Sequence, residues 1–300
     1  MEGDLSEIIE LFVRINATGK KLSAQERRHA HYFTSPVLKA AQKTADQVAP
    51  LLVKAGVLSK AQMQRMKHVE LITELLLSVN AGMPLNKKSK IDEVIRGGGL
   101  SSSEVAEASL ALKQAIHVAL VLLPDLRTTR FHRLADFYSL LLLLHRYRSE
   151  GLSVNAHNSV RNALAGSLLR QYGHAVDQVN EKLSQGRSVS RLEEPFREYL
   201  MTVKEGTDSK AQRDKREKLL RSVLDGVFDP LDSKRVFTET QRRILWNASD
   251  KKLCALCGKA IHRWEDLAID HVTAHIKGGN TKLSNGALSH KSCNSAKGAR

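Results

Sequence analysis

Cysteine is scarce in this sequence, with three in 300 residues. That number cannot build the disulfide framework of a small secreted domain. Proline is scarce too, and its six residues stand where helices are expected to start or stop. Aromatic residues make up 5%, which argues against recognition of single-stranded nucleic acid by base stacking. Long apolar runs are also missing. The longest, Leu140 to Leu144 behind Phe137-Tyr138-Ser139, is far too short to span a bilayer and is flanked by Arg133, His145 and Arg146. The stretch 105–123 is interrupted by Glu107, Lys113, Gln114 and His117 and reads as a core helix. Met1 leads into Glu2, Asp4 and Glu7, not into a basic-then-apolar leader, so the expectation is a cytoplasmic protein. No internal repeat is found.

Acidic residues are outnumbered, 32 against 47 Lys and Arg, for a net charge of +15. The surplus is uneven. From residue 251 onward there are nine Lys/Arg against three Asp/Glu, a surplus of six on one sixth of the chain. Such a balance favours a polyanionic partner, either nucleic acid or an anionic membrane surface.

A 42% hydrophobic content is ample for a packed core, and the length favours two domains. The first 250 residues read mainly as helix, with candidates at 36–48, 60–78, 103–122, 131–148, 156–183, 208–224 and 238–246. Ser101 to Ser103 followed by Glu104 and Glu107 make a capped, acidic first turn. Alternating β-branched runs hardly occur before residue 265. Gly97-Gly98-Gly99 marks a break within the helical part. Residues 204–214 read as a surface connection into a charged helix bearing Arg213, Lys215, Arg216, Lys218 and Arg221. That charge run is either a solvated helix face or a phosphate-tracking surface. The domain boundary is placed near residue 240, giving a helical region 1–240 and a small domain 241–300. Near the start, Asn16 to Lys21 reads as a turn around Gly19, with Ser23 capping a helix and Glu26 completing a capping box.

All three cysteines lie in the last 47 positions. Cys254-Ala255-Leu256-Cys257 is a CxxC pair, and His290-Lys291-Ser292-Cys293 is HxxC. Two such pairs supply the four ligands of a closed tetrahedral Zn²⁺ site. A redox CxxC is the competing reading, but it needs no distant HxxC. Between the pairs, residues 267–269 form a short strand candidate ending in Asp270-His271. Asp270 and the amide oxygen of Asn294 are hard donors suited to Mg²⁺ or Mn²⁺. His271 titrates near neutrality and can take a proton from water as a general base. Lys297, near Asn294 on a short helix, offers charge to a phosphate. His275 is either a substrate contact or a loop-packing residue. Gly278-Gly279 reads as a tight turn.

At these residues the sequence resembles the HNH endonuclease family with its ββα-metal fold. The pattern is Asp-His, then Gly-Gly, then Asn-Gly-x-Leu, then Cys-Asn-x-x-Lys-Gly, framed by zinc pairs, over about fifty residues. The resemblance implies a small zinc-stabilised ββα domain after a mainly α region. It also implies roles. His271 matches the general base, Asp270 the metal-binding carboxylate, Asn285 the asparagine bracing the loop behind the base, and Asn294 the final metal position. Cys254, Cys257, His290 and Cys293 match the structural zinc positions, with His290 where cysteine is more usual. The products implied are a 5′-phosphate and a 3′-hydroxyl.

The turn Phe-x-Arg-Ile-Asn-x-x-Gly-x-x-Leu-x-x-Gln-Glu, beginning at Phe12, resembles a segment of GmrSD-type modification-dependent restriction proteins and their defence relatives. Their Asp-Gly-Gln-Arg-type nucleotide-handling run is not found upstream of it, so NTP hydrolysis is not carried across. The reading is a metal-dependent DNA endonuclease or nickase in bacterial anti-phage defence or restriction, with DNA and other defence subunits as partners. The alternative is a non-catalytic, zinc-stabilised DNA-binding adaptor of a larger defence complex.

Overall fold

The computed structural model describes residues 22–85, 87–97, 99–154, 158–232, 234–275 and 278–298. Twelve α-helices and one two-stranded sheet occur among them. The chain divides into two compact units. One is Met1–Arg146 with Asn162–Asp225; the other is Tyr147–Arg161 with Gly226–Arg300.

The first unit is helical. Its elements are α1 (Ala24–His31), α2 (Pro36–Lys54), α3 (Lys60–Gln64), α4 (Lys67–Ala81), α5 (Lys87–Arg96) and α6 (Ser102–Leu122). After these come α7 (Leu134–Ser149), α8 (Ser159–Ser184), α9 (Glu194–Lys204) and α10 (Lys210–Val223). The ends of α7 and α8 reach into the second unit. Ser23 caps α1 through the Glu26 backbone N–H, and the Glu26 carboxylate accepts from the Ser23 N–H in return, the capping box the sequence announces. Ser101 and Glu104 do the same for α6. The residues of the Phe12 turn up to Lys21 lie outside the described set.

Periodicity builds the core. On α2, Val37, Leu38, Ala41, Ala45, Val48, Ala49 and Leu52 fall on one stripe and are buried. They pack against α4 and α6. Helix α6 is long and apolar enough to cross a membrane by length and composition. Its Val105, Ala108, Leu112, Ala115, Ile116 and Ala119 stripe is buried in this core. In α7, Leu140 to Leu144 are all buried, so the apolar run is core on every side.

Three expectations need correction. Helix α2 runs through Pro50 to Lys54 instead of ending at Val48. Burying Leu52, worth about 2–3 kcal/mol, offsets much of the ~3 kcal/mol that an interior proline costs. The helix expected over 60–78 is interrupted at Arg65–Met66, where Met66 takes φ 54°. The charge run of α10 is neither a uniformly solvated face nor a free cationic one. Arg216 is 1% exposed and donates to Ser139 Oγ, Thr202 O and Thr207 O. Arg213 donates to Leu85 O and Glu74 and lies 4.1 Å from the Tyr138 ring centroid. Their long apolar stems and fixed acceptors make burial affordable where a lone charge would not be.

The second unit contains α11 (Glu239–Ala248), β1 (Leu267–His271), β2 (Gly286–His290) and α12 (Lys291–Gly298). The strands are antiparallel, with Leu267 opposite His290 and His271 opposite Gly286. Phe237, Cys254, Ile261, Leu267, Ile269 and Leu288 form its core, and Leu245, Trp246 and Trp264 pack on it. Helix α12 packs on both strands. Residues 147–161 join this unit through backbone bonds from Ser153 to Asp229 and from Leu231 to Gly151. The Arg161–Asp229 ion pair, 2.9 Å, adds to them.

Candidate active site

The zinc-type cluster begins with a turn. Gly258 at φ 72° lets its N–H reach Cys254 O, and the Cys254 N–H reaches Lys259 O, so the chain doubles back just after Cys257. The Ala255 N–H bonds Leu288 O, which fastens this knuckle to β2. His290 at the end of β2 and Cys293 on the first turn of α12 complete the set. The four ligand atoms of Cys254, Cys257, His290 and Cys293 lie within 4.8 Å of one another. A tetrahedral zinc with Zn–S bonds of ~2.3 Å separates its sulfurs by ~3.8 Å, so the group matches that geometry. His290 Nε2 lies 3.3 Å from Ala260 O. A carbonyl only accepts, so Nε2 carries the proton and Nδ1 keeps its lone pair for a metal. Burial alone would raise the Cys254 thiol, but the His290, Leu256 and Cys257 N–H groups outweigh it and bring the thiol down to about 6. Cys293 moves upward, through burial and then its neighbouring cysteine thiols.

The second cluster lies at the other end of β1. Asp270 is 7% exposed, and Lys297 Nζ sits 2.6 Å from its Oδ2 and 3.2 Å from His271 O. Lys297 thus ties α12 to the strand end instead of standing free for a phosphate. Asn294 precedes Lys297 by three positions on α12, which puts both on one face of that helix.

His271 is held from several sides. Its ring lies 4.6 Å from the Phe237 ring and 6.1 Å from the His275 ring. Burial, followed by the nearby His275, lowers its pKa from the ordinary histidine value; Asp270 and Asp232 oppose this. Nε2 lies 3.2 Å from Thr281 Oγ1. The Thr281 hydroxyl already donates its only proton to Lys234 O, so Oγ1 can only accept from Nε2–H. His271 is therefore the Nε2–H tautomer, and Nδ1 carries the lone pair. Thr281 is itself pinned by its N–H to Asp232 Oδ2 at 2.6 Å and by Gln241 Nε2 on its carbonyl at 2.8 Å.

The loop after His271 is closed by Asn285. Its Oδ1 accepts from the Thr273 N–H at 2.8 Å, and its Nδ2 donates to Thr273 O and Asn280 O at 3.0 and 2.8 Å. Gly279 lies so close that a Cβ there would stand 1.7 Å from Thr273 O. Only glycine fits this approach. His275 Nε2 is occupied by Asp232 O at 2.6 Å.

The structure thus brings the four zinc-type residues together, joins Asp270 to Lys297, and ties Asn285 to the loop that follows His271. Thr281, Phe237, Asp232 and Gln241 were not singled out by sequence. A hydroxyl ten residues beyond a histidine, or an aromatic thirty-four residues before it, follows no period that would flag it.

No curated protein and no solved structure matches this chain. The GmrSD-type resemblance of the N-terminal turn receives no support from these comparisons. The family model described as HNH endonuclease matches residues 254–300, so the segment that carries both clusters is an HNH domain.

Proposed function

We propose that the HNH domain makes this protein a metal-dependent DNA endonuclease or nickase, with residues 241–300 as the catalytic module and the helical region as its targeting or regulatory part. The reading rests on one observation above all. At the end of β1 a histidine with its Nδ1 lone pair left open stands next to a buried carboxylate. A module that only binds DNA has no use for a tautomer held in place by a pinned threonine.

Asp270 and Asn294 would hold Mg²⁺ or Mn²⁺, both being hard oxygen donors, and the ammonium now on Asp270 indicates that this carboxylate accepts a cation. Bound there, such an ion supplies charge neutralisation at the scissile phosphate and the leaving oxygen. His271 takes the proton of the attacking water on Nδ1, and Thr281 holds its ring. Asn285 keeps the loop behind His271 in place. Cleavage of the 3′-oxygen–phosphorus bond leaves a 5′-phosphate and a 3′-hydroxyl. Cys254, Cys257, His290 and Cys293 would hold a structural Zn²⁺, which would support a domain too small to rely on its core alone. A role in anti-phage defence or restriction, with other defence subunits as partners, is inferred from the N-terminal turn alone.

Supercoiled plasmid incubated with the protein and Mg²⁺ or Mn²⁺ tests the reading. Nicked or linear product that disappears with EDTA and with Asp270→Asn is expected. Retarded but uncut plasmid under every condition would favour the DNA-binding adaptor.

A further inference from the structure

Lys297 Nζ makes a charge-assisted hydrogen bond of 2.6 Å to Asp270 Oδ2, and the same ammonium donates to His271 O at 3.2 Å. Among the described residues no other donor is bonded to the Asp270 carboxylate. The Asp270 side chain is 10% exposed, whereas that of Lys297 is 39% exposed. The carboxylate is therefore fixed and dry, while its partner is a flexible four-carbon stem with one end open to water. A divalent ion on Asp270 would meet a resident cation at contact distance. Two cations on one largely buried carboxylate repel strongly at an intermediate dielectric. One must leave, and only Lys297 has somewhere to go.

We infer that Lys297 is the resident counter-ion of Asp270, which keeps the site closed to divalent ions until a DNA phosphate takes the ammonium over. Metal and DNA binding are then coupled. The phosphate draws Lys297 off Asp270, Asp270 becomes free for the ion, and by reciprocity the ion strengthens the hold on the phosphate. Lys297 thereby acts as a positioning residue for the metal, and the protein without DNA is a poor divalent-ion binder. The inference rests on the assignment of Asp270 as a metal ligand in the proposed function.

The experiment is a Mn²⁺ titration of the zinc-loaded, full-length protein without DNA, followed by electron paramagnetic resonance of the free ion. Wild type is compared with Lys297→Met, Lys297→Arg and Asp270→Asn, each checked by circular dichroism for folding. Lys297→Met keeps the apolar stem and removes the charge, and it should bind Mn²⁺ roughly tenfold tighter than wild type. Lys297→Arg keeps a cation on Asp270 and should bind as weakly as wild type. Asp270→Asn should lose the site in both the wild-type and the Lys297→Met background. If Lys297→Met binds no tighter while Asp270→Asn abolishes binding, the counter-ion role is wrong and the metal ligand stands. Should Asp270→Asn leave Mn²⁺ affinity unchanged in either background, the ligand assignment itself fails and the inference goes with it.

Discussion

At the scale of single residues, the proposed chemistry depends on which nitrogen of His271 is free. Thr281 decides this because its one proton is committed to Lys234 O. Thr281→Val removes the acceptor from His271 Nε2 and leaves that carbonyl without its partner. Losing such an orienting bond typically costs 10–100-fold at metal sites, so a drop of roughly that size in single-turnover cleavage is expected. DNA affinity, measured by gel shift, should stay within about twofold, because Thr281 is 3% exposed and offers DNA no surface. A parallel loss of affinity would mean that the loop, not the tautomer, had changed. The four zinc-type residues, which the structure brings together, and the residues proposed for the chemistry were both legible in the sequence: an Asp-His pair, an asparagine loop and two Cys/His pairs carry meaning through type and spacing. The residues that aim them were not. Thr281, Phe237 and Gln241 act through contacts made only when distant loops meet, and nothing in their neighbours' pattern marks them.

At the scale of elements, capping and periodicity made most helices readable. Ser23, Ser101 and Thr238 each sit at a helix start with Glu or Gln at the third helical position. Helix α9 carried similar signals, with Pro195 in its first turn and Lys204 in its last, but its short apolar stripe hid it. Helix α5 is polar enough to read as loop. The buried arginines of α10 were the opposite case, since charge says nothing about which way a stem points. Close packing of elements brings its own prediction. A Cβ on Gly166 of α8 would stand 2.1 Å from Leu122 O at the end of α6. Both atoms belong to backbone, so neither yields easily. Gly166→Ala should lower unfolding free energy by about 2–3 kcal/mol in urea titrations, an overpacking cost with no change of charge. A neutral result would mean that the two helices separate more freely than this contact allows.

The Cys254–Cys293 cluster, proposed to hold zinc, makes a second prediction at this scale. Cys254 and Cys293 sit in or against the apolar cluster of the second unit, so the ligands and the core are one structure. Cys257→Ser, or exhaustive chelation of wild type, should release about one equivalent of zinc and abolish the cooperative melting of this unit. Retention of a sharp transition after zinc loss would show that the core suffices alone. Helicity followed by circular dichroism should fall only in part, because most helices belong to the other unit.

At the scale of the whole molecule, the net charge of +15 matches a polyanionic substrate, and the segment that holds the HNH domain carries its share of that surplus. Charge explains attraction to DNA but not its hydrolysis, and binding and chemistry must be measured apart. The most direct measurement is the single-turnover cleavage rate of an end-labelled duplex by wild type and His271→Ala, each saturating the DNA in Mg²⁺. Removal of a general base should slow the chemical step by roughly 10²–10⁴-fold while the bound fraction of DNA is unchanged. Equal rates for the two proteins, at equal binding, would contradict the account.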